Sequence, residues 1–155
     1  MDKTITKDPE VIMKEISKQI SSGKRVTITA KGYSMNPFII HKKDSITLSP
    51  WTDADIKAGQ VALAQDMRGQ YVLHRIIRRE GDKIVLMGDG NVKGTEKAYV
   101  SGIIGLMTER TRDGRTISCE SCGWKACSWI WNMLRPVRRW PLGLWRKLVS
   151  QEPLP

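Results

Sequence analysis

Hydrophobic and polar positions fall into three regimes along this chain. After Asp8-Pro9-Glu10, the apolar residues Val11, Ile12, Ile16 and Ile20 recur at roughly helical spacing until Ser21-Ser22-Gly23. A capping side chain, a first-turn proline and an acid stand there in the order a helix start requires, so one N-terminal helix is predicted. From Arg25 the period drops to two. Val26-Thr27-Ile28-Thr29-Ala30, Ser45-Ile46-Thr47-Leu48, Val61-Ala62-Leu63-Ala64, Tyr71 to Ile77, Lys83 to Met87 and Val100 to Arg110 are short β-rich runs. Arg68-Gly69, Glu80-Gly81-Asp82 and Asp113-Gly114 between them are hairpin chemistry, because glycine supplies the positive φ that tight turns need. The pattern predicts a mainly β fold: a coiled antiparallel sheet over 25–116, preceded by a helix within 1–24 and followed by a helical tail over 117–155.

The tail is the third regime. From Gly123 to Ser150 there is no acid, while Lys125, Arg135, Arg138, Arg139, Arg146 and Lys147 alternate with Trp124, Trp129, Trp131, Trp140 and Trp145, five of the chain's six tryptophans. Pro136 and Pro141 split the segment into two pieces, each too short to cross a bilayer of ~30 Å. Tryptophans beside cations favour the headgroup boundary, so residues 123–150 read as an anchor on an anionic membrane surface. Packing of these rings against the β-domain or a partner is the competing account. Nucleic acid is a third, disfavoured because the charge sits in a terminal appendage and not across a recognised nucleic-acid fold.

Composition narrows the setting. A chain of 155 residues can bury one ordinary core, and 40% hydrophobic with 27% charged residues describes a folded domain, not a disordered one. The net charge of +10 suits an acidic partner surface. No run of ~18 apolar residues exists, and Met1-Asp2-Lys3-Thr4-Ile5-Thr6-Lys7-Asp8 lacks the apolar core of an export signal, so a cytoplasmic protein, peripheral on the inner membrane face, is expected. Cys119-x-x-Cys122 with Cys127 offers three thiolates and no neighbouring fourth ligand. Reduced thiols are therefore expected, with no metal and no cofactor.

The candidate chemistry lies in Gly32-Tyr33-Ser34-Met35-Asn36-Pro37 and in His74, one of two histidines. A serine hydroxyl is nearly inert at neutral pH unless a base takes its proton. His41 falls in a Lys/Asp-rich turn, whereas His74 stands in the strand-like Tyr71-Val72-Leu73-His74-Arg75-Ile76-Ile77, where apolar alternation holds its ring. Its ordinary pKa of about 6.5 suits a base working near neutrality. Gly32 permits a tight approach, and Pro37 limits how the segment relaxes.

Ser34-Met35-Asn36-Pro37, His74-Arg75-Ile76 and Gly88-Asp89-Gly90-Asn91, in that order and with hydrophobic strands between them, resemble the type I signal peptidases and their relatives, the self-cleaving SOS repressors. The resemblance covers about Val26 to Arg115. It implies a serine endopeptidase of the histidine-containing branch, with Ser34 as nucleophile, His74 as general base and the N–H of Ser34 as oxyanion donor. Many members add a hydroxyl two residues before the nucleophile, where this chain has Gly32. For the acid that orients His74, the resemblance offers Asp89 in its Gly-Asp box first and Glu96 as the alternative. It also implies a substrate held as an added β-strand, with Val26–Ala30 and Val61–Ala64 as rails and Gly32, Tyr33, Ile28, Ala62 and Ala64 as contacts. Small residues such as alanine would flank the cleaved bond. The single helix before the β region leaves no room for a repressor's DNA-binding half. Without a spanning helix, the expected task is trimming a leader or terminal segment of a dedicated peptide or protein. The alternative is an inactive peptide-binding or membrane-associated regulatory module of the same fold.

Overall fold

The computed structural model describes residues 8–149; the expectations for Met1 to Lys7 and for Ser150 to Pro155 lie outside them. Helix α1 (Pro9–Ser21) starts as its sequence dictates, with Asp8 accepting the Glu10 N–H at 3.0 Å and Pro9 in the first turn. It buries Ile16 and Ile20. Eight strands follow: β1 (Val26–Thr29), β2 (Asp44–Ser49), β3 (Val61–Gln65), β4 (Tyr71–Glu80), β5 (Lys83–Met87), β6 (Glu96–Tyr99), β7 (Ile103–Arg112) and β8 (Arg115–Ser118). Then come α2 (Cys122–Met133) and α3 (Arg139–Val149), joined through a single 3-10 turn over Arg135–Val137.

The strands form one curled, wholly antiparallel sheet in the order β1-β2-β7-β3-β4-β5-β6, with β8 paired to the far half of β7. The three glycine-containing turns close the β3–β4, β4–β5 and β7–β8 hairpins. Alternation along the strands separates two apolar clusters. Val61 and Leu63 join Ile16, Ile20, Ile46, Leu48 and Met107 in one, while Ala62 and Ala64 join Ile76, Leu86 and Ala98 in the other. The first cluster also takes in Cys119 and Trp124, so the N-terminal helix, the sheet and the start of the tail share one core.

Several elements differ from the sequence reading. Val100–Gly102 is a 3-10 turn and the strand there begins at Ile103, because Val100 sits where the chain reverses from β6 into β7. Strands β6 and β8 carry too few apolar residues to give a period: β6 buries only Ala98, and β8 is exposed throughout. Pro141 does not break the tail, since it lies in the first turn of α3, where a missing N–H leaves no bond unmade. Pro136, in the 3-10 turn, marks the actual break. Among the described residues no helix is long and apolar enough to cross a membrane.

Candidate active site

The serine loop leaves β1 through Gly32, whose φ of +95° is a conformation that side-chain-bearing residues rarely adopt. Met35 and Ile39, 4% and 2% exposed, pin the loop into the core, and the Asn36–Pro37 peptide is cis. His41 holds its near side: its Nδ1 accepts the Gly32 N–H at 2.7 Å, and its ring stacks on Tyr33 with centroids 4.7 Å apart. The Gly32 N–H is thus occupied and unavailable to an oxyanion.

Strand β4 brings His74 to this loop. His74 Nε2 lies 3.1 Å from Ser34 Oγ, and Nδ1 lies 2.8 Å from Glu96 Oε2. Strand register explains the second contact. Ile76, Leu86 and Glu96 stand side by side across β4, β5 and β6, and His74, two residues before Ile76, shares their face. His74 is 6% exposed, and the Glu96 carboxylate beside it is largely covered. A carboxylate accepting Nδ1–H fixes the tautomer in which Nε2 can accept from a hydroxyl.

Asp89, the acid preferred from the sequence, does not meet His74. It makes a two-pronged ion pair with Arg75, at 2.8 and 2.6 Å, in which both side chains are essentially buried. Arg75 follows His74 and pairs with Met87, two residues before Asp89, so alternation sends this pair to the opposite face. Arg75 also donates to the Gly59 carbonyl at 2.8 Å and lies 4.9 Å from the centre of the Phe38 ring.

The two rails named from the sequence also part company. Strand β3 is paired on one edge to β4 and on the other to β7, and Ala62 and Ala64 are fully buried, so neither its backbone nor those side chains can meet a peptide. Among the described residues β1 pairs only with β2, which leaves its outer edge open. Ile28 on β1 packs partly into the core, while Tyr33 is 68% exposed. A cleft of about 200 Å³ opens at the end of β1, walled by Ala30, Met35, Ile39 and Leu73, with Ser34 and His74 in its lining. A larger cleft of about 690 Å³ lies elsewhere, between the turn before β3 and α2, and includes neither Ser34 nor His74.

The tail reaches the site from below. Trp124 and Trp131 contact the Phe38 ring edge-on, and Trp131 Nε1 donates to the Asp89 carbonyl at 3.0 Å. Arg138, 1% exposed, donates to the carbonyls of Gly88, Asn91 and Trp131. Burial pulls the pKa of this guanidinium down, and the nearby Asp89 charge opposes that pull. Arg146 donates to the Gly90 carbonyl at 3.3 Å. These residues, like His41, were not singled out as site residues from the sequence. The only signal was the gathering of Trp and Arg in the tail, which fits an inward and an outward face equally well.

Of the tail's other tryptophans, Trp129 and Trp140 are 64% and 70% exposed. Cys119 is buried, and desolvation pushes its thiol up to about 12, while Cys122 and Cys127 are exposed; all three are free. Comparison with protein-family models, with curated proteins and with solved structures gives no match to this chain.

Proposed function

We propose that this protein is a serine endopeptidase that takes an extended peptide along the open edge of β1 and cleaves it through Ser34, His74 and Glu96. The observation that carries the reading is the continuous relay from Ser34 Oγ to His74 Nε2 and from His74 Nδ1 to Glu96, both links at hydrogen-bond length. As Oγ bonds to the peptide carbonyl carbon, the hydroxyl proton passes to Nε2, and the Ser34 N–H meets the oxyanion. Collapse breaks the C–N bond, and the imidazolium returns its proton to the leaving amine. Water then repeats the sequence on the acyl-serine, releasing the acid and restoring the hydroxyl. Glu96 holds the ring and stabilises its cationic form.

The three ordered motifs and their resemblance to type I signal peptidases and SOS repressors support the same reading, as does the curled antiparallel scaffold. Strand addition at β1 would supply affinity through backbone hydrogen bonds. The cleft beside Ser34, at about 200 Å³ and with Ala30, Met35, Ile39 and Leu73 among its lining, suits a short side chain such as alanine. In this reading the enzyme trims a leader or terminal segment of a dedicated peptide or protein. The outward Trp129 and Trp140, in the acid-free stretch from Gly123 to Ser150, suit work at an anionic membrane surface.

The test is covalent labelling with an alanine-containing peptidyl phosphonate, read by intact mass. Wild type should form a single adduct, lost in Ser34→Ala and reduced at least about 10²-fold in rate in His74→Ala. No adduct on folded wild type would favour the inactive peptide-binding module instead.

A further inference from the structure

The Gly88–Asn91 loop is held between two parts of the chain. On one side it meets the serine loop: the Gly90 N–H donates to the Ser34 carbonyl at 2.7 Å, and the Asp89 N–H reaches Met35 Sδ at 3.5 Å. The approach leaves no room for side chains. A Cβ at Gly88 would run into the Ser34 carbonyl, and one at Gly90 would come within 2.7 Å of the Tyr33 carbonyl. On the other side, every carbonyl from Gly88 to Asn91 receives a donor from the tail: Arg138 on Gly88 and Asn91, Trp131 on Asp89, and Arg146 on Gly90.

We propose that Trp131 and Arg138 are positioning residues for the nucleophile, acting through this loop, so that the C-terminal helices belong to the catalytic device. The inference rests on Ser34 being the nucleophile. The turn has one hydrogen bond of its own, from the Asn91 N–H to the Gly88 carbonyl at 3.0 Å, but with glycine at two positions it has little else to fix its shape, and outside a strand ladder its other carbonyls would otherwise turn to water. Donors carried on packed helices convert it into a rigid shelf. Because Gly90 grips the Ser34 carbonyl directly, displacement of the shelf displaces Oγ relative to His74 Nε2. Misplacement of a reacting group by ~1 Å can cost about 10²-fold in rate.

Arg138 itself argues for a dedicated role. Burying a cation is costly unless it is compensated, and among the described residues Arg138 makes no ion pair. Its two terminal nitrogens are compensated by three carbonyl oxygens, with the Trp131 ring at 5.3 Å and the Asp89 charge nearby, while its Nε finds no hydrogen-bond partner among the described residues. A residue needed only to fill space there could have been apolar.

Full-length Trp131→Phe, Arg138→Met and Arg138→Lys separate positioning from simple support. Trp131→Phe keeps an aromatic ring beside Phe38 and Arg138, smaller than the indole, and deletes the Nε1 donor. It should slow adduct formation by about 10-fold, melt close to wild type, and exchange amide hydrogens faster across 32–36 and 88–91. Arg138→Met should be slower still, with Arg138→Lys restoring part of the rate. Wild-type labelling together with wild-type exchange in Trp131→Phe would overturn the proposal even if Arg138→Met fails to fold. Should wild type itself form no adduct, the endopeptidase reading falls and the positioning of a nucleophile falls with it, and faster exchange across 32–36 in Trp131→Phe would then show only that the tail braces the Ser34 loop.

Discussion

Asp89 and Glu96 show how one residue's parity along a strand selects its chemistry. Both acids follow His74 in sequence, yet His74 and Arg75 project to opposite faces of β4, and each acid lies on the face of its own partner. The consequence is testable by paired substitutions. Glu96→Gln should retain the fold and slow adduct formation by on the order of 10²-fold or more, since the amide lacks the charge that stabilises the imidazolium and can turn its NH2 to donate to Nδ1, which selects the wrong tautomer. Asp89→Asn should act mainly on stability, because removing one partner of a buried ion pair costs about 3–5 kcal/mol. Labelling rates set beside thermal melts distinguish the two, and a catalytically silent Glu96→Gln would remove Glu96 from the relay. From the sequence, Ser34 and His74 could be singled out because the residues around them carry an apolar rhythm and a motif. The partner of His74 could not be fixed. Its choice depends on β6, and Glu96-Lys97-Ala98-Tyr99 shows a single buried apolar position, too little to announce a strand.

At the level of elements, α1 and the strands with clear alternation were legible, and the glycine turns marked the β3–β4, β4–β5 and β7–β8 hairpins. What the pattern could not give was which strand edges remain open. Val26–Thr29 and Val61–Gln65 look alike in sequence, but one lies at the sheet edge and the other at its centre, a distinction made by long-range pairing with β7. The β2–β7 join has a chemical lock of its own. Asp44 and Arg112 face each other across the ladder and bond at 2.6 Å through both oxygens, and Asp44 also accepts the Ile40 N–H. Burial alone would raise the Asp44 pKa, but the guanidinium and the amide outweigh it and hold the carboxyl below its usual range. A depressed folded pKa stabilises the protein above the unfolded value of about 3.9 and loses that contribution as pH falls through the folded value. Thermal melts from neutral to about pH 2 should therefore show the gap between wild type and Asp44→Asn closing on acidification below about pH 4. A gap that persists unchanged in acid would show that Asp44 contributes little through its charge.

For the molecule as a whole, the tail's two helices present two faces. Trp124, Trp131, Arg138 and Leu142 turn inward, whereas Trp129, Ile130, Met133, Trp140, Leu144 and Leu148 remain outside. Membrane contact and packing, set against each other in the sequence, thus use different residues of the same helices. Under the membrane proposal, Trp129→Ala with Trp140→Ala should abolish sedimentation with anionic vesicles and leave melting temperature and adduct formation near wild type, because both rings are largely outside the fold. Unchanged sedimentation would end that proposal. The inward face has a further consequence, set by the order in which a ribosome makes the chain. Ser34, His74 and Glu96 all emerge well before Trp131, Arg138 and Arg146, which cap the Gly88–Asn91 carbonyls. A nascent chain released only as far as β8 holds every proton-transfer group and still lacks the brace beneath its nucleophile, so under the positioning proposal full reactivity arrives only once α2 and α3 are synthesised and docked.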